Sequence, residues 1–160
     1  MIYCEPKTDK ALLDELDGSK KVFLLGCSLC SNISYCIHNG MKSPMFQGLD
    51  VAVNTKREAK RLKQLMSEKG IQTDSATLIA LCCISTKDVK KVLKKTKDCD
   101  TIATLSCEFG RRNTEEYSKG KRVVGTMTNK GLMRAIVDQK GLTISFVKDT
   151  LYINNEKHTG

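Results

Sequence analysis

Three short apolar runs in this chain each break off at a cysteine, and that pattern limits the possible folds more than any other feature. The runs occupy residues 22–25 (Val-Phe-Leu-Leu), 77–81 (Thr-Leu-Ile-Ala-Leu) and 101–105 (Thr-Ile-Ala-Thr-Leu), and give way to Gly26-Cys27, Cys82-Cys83 and Ser106-Cys107. Stretches this short and this uniformly apolar are read as strands covered on both faces, because a helix needs a longer segment with one polar side.

The intervening segments carry helical spacing. Residues 8–16 place Leu12, Leu13 and Leu16 on one face, with Gly18 closing the helix. From Thr55, a capping box with Glu58 opens a helix whose stripe is Ala59, Leu62, Leu65 and Met66, and Gly70 ends it. Ser85 caps a helix running to about Lys95, with Val89, Val92 and Leu93 inward. A fourth strand at 122–126 leads to an Asn129-capped helix bearing Leu132, Met133, Ile136 and Val137. Residues 32–48 show neither period and read as irregular; 49–53 read as a short strand. The tail reads as a hairpin, 143–147 and 151–153 around Lys148-Asp149. Strands alternating with helices predict an α/β fold, a mostly parallel twisted sheet with helices on both faces and a C-terminal hairpin. With neither repeat nor linker, the 160 residues read as a single cysteine-rich α/β domain.

In such a sheet all strand carboxyl ends share one edge, where these folds keep their sites. Cys27, Cys82, Cys83 and Cys107 are therefore expected to meet there. Cys30 and Cys36 stand on the loop leaving the first strand, in the spacing Cys27-x2-Cys30-x5-Cys36. Two cysteines separated by two residues can turn both sulfurs toward one centre, and thiolates are preferred ligands of zinc and of iron–sulfur clusters. Any one of Cys82, Cys83 or Cys107 alone reads as plain core, since cysteine is among the most buried residue types; the set reads as a metal site. Zinc sites of four cysteines usually draw on two local pairs, and only one is present here, so a single [4Fe-4S] cluster is the first expectation and zinc the alternative. Cys4 and Cys99 lie off the expected edge and are read as non-ligands.

Other chemistry finds less support. The Cys-x5-Arg loop of thiol phosphatases fails, because Ile33 and Asn113 stand where arginine is needed. The two histidines, His38 and His158, are read as solvent-facing and as frayed near the chain end, so no base is assigned. No glycine-rich phosphate loop follows a strand. Net charge is +9, but only six of the 27 basic residues are arginine and tryptophan is absent. That balance favours long-range attraction to acidic partners over nucleic-acid readout. The longest apolar run is seven residues, from Leu78 to Ile84, against about 20 for a membrane span. The first ten residues lack the pattern of a secretion signal, and the expected location is cytoplasmic, where eight cysteines suggest metal or thiol chemistry before disulfides.

The stretches Met-Ile-Tyr-Cys-Glu-Pro-Lys at the start, Lys-Lys-Val-Phe-Leu-Leu-Gly-Cys-Ser-Leu-Cys at 20–30, the cysteine near 82 and Leu-Ser-Cys-Glu-Phe-Gly at 105–110 resemble the cysteine-rich small subunit of acetogen-type methylenetetrahydrofolate reductase, the methylenetetrahydrofolate reductase C-terminal domain family. The resemblance extends to about Ile136. It implies a non-catalytic subunit of an oxidoreductase complex, holding a metal or cluster beside a flavin-bearing reductase subunit; a methyl-transfer protein is the alternative partner. On that resemblance Cys27, Cys30, Cys82 and Cys107 match the family's positions and Cys36 stands near its third loop cysteine. The lysine-rich helices around Lys60 and Lys91 would steer an acidic ferredoxin-like carrier. A zinc-stapled interaction module without redox role is the competing expectation, and a basic nucleic-acid binder a third.

Overall fold

The computed structural model describes residues 2–39, 43–44, 52–78, 86–138, 143–146, 151–153 and 156–158. Its elements in chain order are β1 (Ile2–Pro6), α1 (Asp9–Glu15), β2 (Lys21–Cys27), α2 (Cys30–His38), β3 (Ser43–Pro44), α3 (Val53–Glu68), β4 (Gln72–Leu78) and α4 (Thr86–Leu93) with a 3-10 turn at Lys94–Thr96. They continue with β5 (Thr101–Leu105), α5 (Glu108–Tyr117), β6 (Arg122–Gly125), β7 (Met127–Leu132), β8 (Ala135–Asp138), β9 (Thr143–Phe146), β10 (Leu151–Ile153) and β11 (Glu156–His158).

The centre is a parallel sheet in the order β4-β2-β5-β6. Period-two alternation along β2 divides its apolar side chains between two layers. Val22 and Leu24 pack with Leu12, Leu16, Leu62 and Met66 from α1 and α3, the cap of α1 included, while Phe23 and Leu25 pack with Val89 and Val92 from α4. Each fully buried leucine contributes about 1.5–3 kcal/mol to this arrangement. The expected α/β sheet with helices on both faces is the architecture found. Beside it lie two smaller antiparallel sheets, β1-β7-β10-β11 and β3-β9-β8.

Several local expectations are corrected. Part of the 32–48 segment read as irregular is helical: α2 buries Ser31 through Cys36 consecutively, so it has no polar face and no amphipathic period for a sequence to display. Of the strand expected at 49–53, Val53 opens α3 and 49–51 lie outside the described residues. No capping box forms at Thr55. Asn32 on α2 caps α3 instead, its Oδ1 accepting from the amides of Asn54 (2.9 Å) and Thr55 (3.2 Å), while Glu58 pairs with Arg61. The second strand begins five residues earlier than expected, at Gln72, because β4 is an edge strand whose first half is polar and solvated.

The helix expected from Asn129 is absent. Residues 127–132 form β7, antiparallel to β1, with Gly131 opposite Tyr3 at a φ of 136°. That backbone setting favours glycine, and cross-strand pairing overrides the helical spacing of Leu132, Met133, Ile136 and Val137. The expected hairpin of 143–147 with 151–153 does not form either: β9 pairs with β3 and β8, and β10 with β7 and β11. Helix α5 gave no apolar signal because it buries only Gly110 and Thr114; its surface is held by Arg111–Glu108 (2.7 Å), Arg111–Glu115 (3.1 Å) and Arg112–Glu108 (3.0 Å). Such pairs contribute about 0.3–0.5 kcal/mol each. Among the described residues, no helix is long and apolar enough to cross a membrane.

Candidate metal centre

Strand order decides where a site can form. The chain crosses from β2 to β4 on one side and then to β5 on the other, so the carboxyl ends of β2 and β5 flank a topological switch point. Cys27 is the last residue of β2, and Cys107 follows β5 and caps α5. Cys30 begins α2. The chain between Cys27 and α2 is fixed by hydrogen bonds at its entry: the hydroxyls of Ser31 (2.6 Å) and Thr55 (2.8 Å) both donate to the Cys27 carbonyl, and the Ser28 amide donates to Leu78 (3.0 Å).

A fourth thiol arrives from β1. Cys4 sits opposite Asn129 in the β1–β7 pair, next to a register shift at Tyr3. Its amide donates to Ser34 Oγ (3.2 Å) and its Sγ to Asn129 Oδ1 (3.1 Å), which also accepts from the Glu108 amide (3.1 Å). Asn129 thus ties Cys4 to the first turn of α5. The expectation that Cys4 lies off the edge is wrong, since β1 returns the amino end of the chain to the same place. The opening motif of the resemblance, Met-Ile-Tyr-Cys-Glu-Pro-Lys, was the available signal.

The thiols act on one another. Cys30 shares a hydrogen bond with Cys107, and this contact, followed by burial and the charge of Cys107, drives the Cys30 pKa far up against an opposing bond from the Ile2 backbone. Cys27 adds to the same effect. Burial, then the charges of Cys107 and Cys27, push Cys4 up to about 12. The first turns of α2 and α5 favour thiolate, but burial and mutual repulsion prevail. Burial and the neighbouring sulfurs thus raise Cys4 and Cys30, and none of the four sulfurs is in a disulfide.

The remaining cysteines divide differently. Cys36 is buried on α2, six residues from Cys30 and so about 240° further round the helix axis. α2 is helical where a loop was expected. Cys82 and Cys83 lie outside the described residues. Cys99 stands before the amino end of β5, among Lys21, Asp74 and Lys121, off the carboxyl edge as expected.

The donor set suits a thiolate-bound metal in kind: four soft sulfurs, three buried and one half-buried, with no carboxylate or amine among the groups acting on Cys4 or Cys30. Among the described residues, no three histidine, cysteine, aspartate or glutamate side chains are drawn together tightly enough to hold a single ion as they stand. Two large apolar side chains are exposed beside the thiols, Leu29 (41%) before Cys30 and Phe109 (61%) after Cys107.

No family model matches this chain, and no curated protein does. Among solved structures, a periplasmic ribose ABC transporter from Conexibacter woesei DSM 14684 is similar over 73% of this chain, at 15% identity and a TM-score of 0.45; this chain spans 35% of that protein.

Proposed function

We propose that this chain is a metal-carrying accessory subunit of an oxidoreductase complex, with Cys27, Cys30 and Cys107 as donors and Cys4 as the fourth. A [4Fe-4S] cluster is the preferred group and zinc the alternative. The observation that carries the reading is the meeting of Cys30 and Cys107 at the switch point, within electrostatic reach of Cys27 and Cys4. When bound, a cluster would supply one-electron transfer. The chain's own part is to hold the sulfurs at the ends of rigid strands and, through the first turns of α2 and α5, to favour their ionised form.

Leu29 and Phe109 support an accessory role, because exposed apolar side chains beside a site are suited to docking. The resemblance of the cysteine motifs makes a flavin-bearing reductase subunit of the methylenetetrahydrofolate reductase kind the proposed partner, with a methyl-transfer protein second, in the cytoplasm. Anaerobic purification followed by iron, sulfide and zinc analysis tests the reading. Iron and acid-labile sulfide in equal amounts, lost in Cys30→Ser and Cys107→Ser, are expected. Stoichiometric zinc without visible absorbance would select the alternative, and metal-free protein with eight free thiols would overturn both.

A further inference from the structure

A groove of about 460 Å³ lies between the α4 wall and the carboxyl end of α5. Lys90, Lys94 and Lys97 line it from one wall, Lys119 and Lys121 from the other. The floor includes Leu93 and Tyr117, which also pack on the core beneath. Glu116 is the one acidic residue of the described lining. Lys90 Nζ stands 4.4 Å from the centre of the Tyr117 ring, and Lys121 Nζ donates to the carbonyls of Lys97 (3.2 Å) and Cys99 (2.5 Å). The two walls are therefore fastened together and the groove is preformed. Among the described residues, no carboxylate pairs with Lys94, Lys97 or Lys119.

We infer that this groove docks an acidic segment of a partner polypeptide, one that seats apolar side chains on Leu93 and Tyr117 and offers carboxylates to the lysines. Charge complementarity decides the sign of the occupant: five lysines oppose one glutamate. Lysine in place of arginine, over an apolar floor, suits carboxylates and aliphatic side chains better than phosphates and bases. Length decides its size. From Lys90 to Lys97 the helix and 3-10 turn advance about 11 Å, a span for several residues of peptide and too long for a small anion.

The groove also lies at the wrong end to serve the thiols directly. Lys97 and Lys121 precede β5 and β6, whereas Cys27 ends β2 and Cys107 follows β5. The five residues of β5 separate the two ends by about 17 Å. Docking here holds a partner in place and leaves the carboxyl edge open, so the inference stands apart from the metal reading.

The test uses the full chain and a fluorescent peptide of about 12 residues alternating glutamate with leucine. A glutamate–serine peptide and an oligothymidylate of the same length are the comparisons. The glutamate–leucine peptide is expected to bind best, with affinity falling as salt rises. Lys94→Glu combined with Lys119→Glu is expected to weaken it at least about tenfold, and the equal charge change of Lys60→Glu on α3 with Lys69→Glu at its C-cap far less. On the unaltered protein, bound peptide should protect Lys94, Lys97 and Lys119 from acylation, a readout independent of variant folding. Equal losses in the two double variants, absent protection, equal binding of the glutamate–serine peptide, or tighter binding of the oligonucleotide would each overturn the inference. Cys30→Ser protein should bind the peptide unchanged, which separates this outcome from failure of the metal reading.

Discussion

Cys30, the first residue of α2, shares a hydrogen bond with Cys107, the residue that caps α5. Two helices that start at adjacent parallel strands thus begin against one another, each with a thiol in its first turn. The contact exists because β2 and β5 are neighbours in exact parallel register, Val22 opposite Thr101 through Gly26 opposite Leu105. A relationship across the sheet becomes a pair of sulfurs at its edge.

Cys4 carries the sharpest expectation about this edge. Cys4→Ser should lower the metal content of anaerobically purified protein, whereas Cys99→Ser should leave it at the unaltered level, since Cys99 stands at the opposite end of β5. Metal analysis of the two variants side by side decides the matter. Equal content in both would remove Cys4 from the donor set.

The cap that α2 provides to α3 should be measurable. Asn32→Ala leaves the amides of Asn54 and Thr55 without their acceptor in a buried position. A loss of about 1–2 kcal/mol is expected in denaturant unfolding. Asn32→Asp, which keeps the accepting oxygen, should cost less, and the reverse ranking would refute the capping role.

Gly26 has no room for a side chain. A Cβ there would stand 2.7 Å from Thr55 Cγ2 and 3.0 Å from Thr77 Oγ1, both on neighbouring elements. Gly26→Ala is expected to destabilise the protein by about 1–3 kcal/mol through overpacking. Combining it with Thr55→Ser, which removes the nearer methyl and keeps the hydroxyl that bonds to Cys27, should recover part of the loss. Thermal melts of the parent, Gly26→Ala and the double variant provide the check.

Asp100 makes stability depend on acid. Its Oδ2 accepts from the amides of Lys20 (2.8 Å) and Lys21 (3.0 Å). Burial resists its ionisation, but the amides of Lys21 and Lys20, a bond with Thr101 and the charge of Lys121 outweigh it and hold the carboxyl below its ordinary 3.8. A carboxyl depressed in the native state stabilises the fold above its ordinary pKa, and that contribution is lost as pH falls through the native value. The stability gap between the parent and Asp100→Asn should therefore be widest near neutrality and shrink below about pH 4. Denaturant midpoints across this range test it; a constant gap would contradict the assignment.

The interior strands were legible because burial on both faces forces continuous apolar runs, and 101–105 is recovered without error as β5. The α1 and α3 stripes were legible because each helix has one face on the sheet and one in water. Legibility fails where that contrast disappears. Helix α2 is buried nearly all round, α5 is almost wholly polar, and β4 lies at a solvated edge. The segment after Gly125 carries a helical spacing, yet pairing with β1 makes it a strand.

By itself, then, the sequence determined an α/β chain with cysteines at the ends of its inner strands, because hydrophobic periodicity and chain direction are local properties. Only the tertiary structure decided that Cys4 joins Cys30 and Cys107, that the segment carrying Cys36 is a helix, and that Asn32 rather than Thr55 caps the neighbouring helix. Those outcomes depend on which strands pair and which helix faces meet. Such contacts join residues far apart in the chain, and no local pattern encodes them.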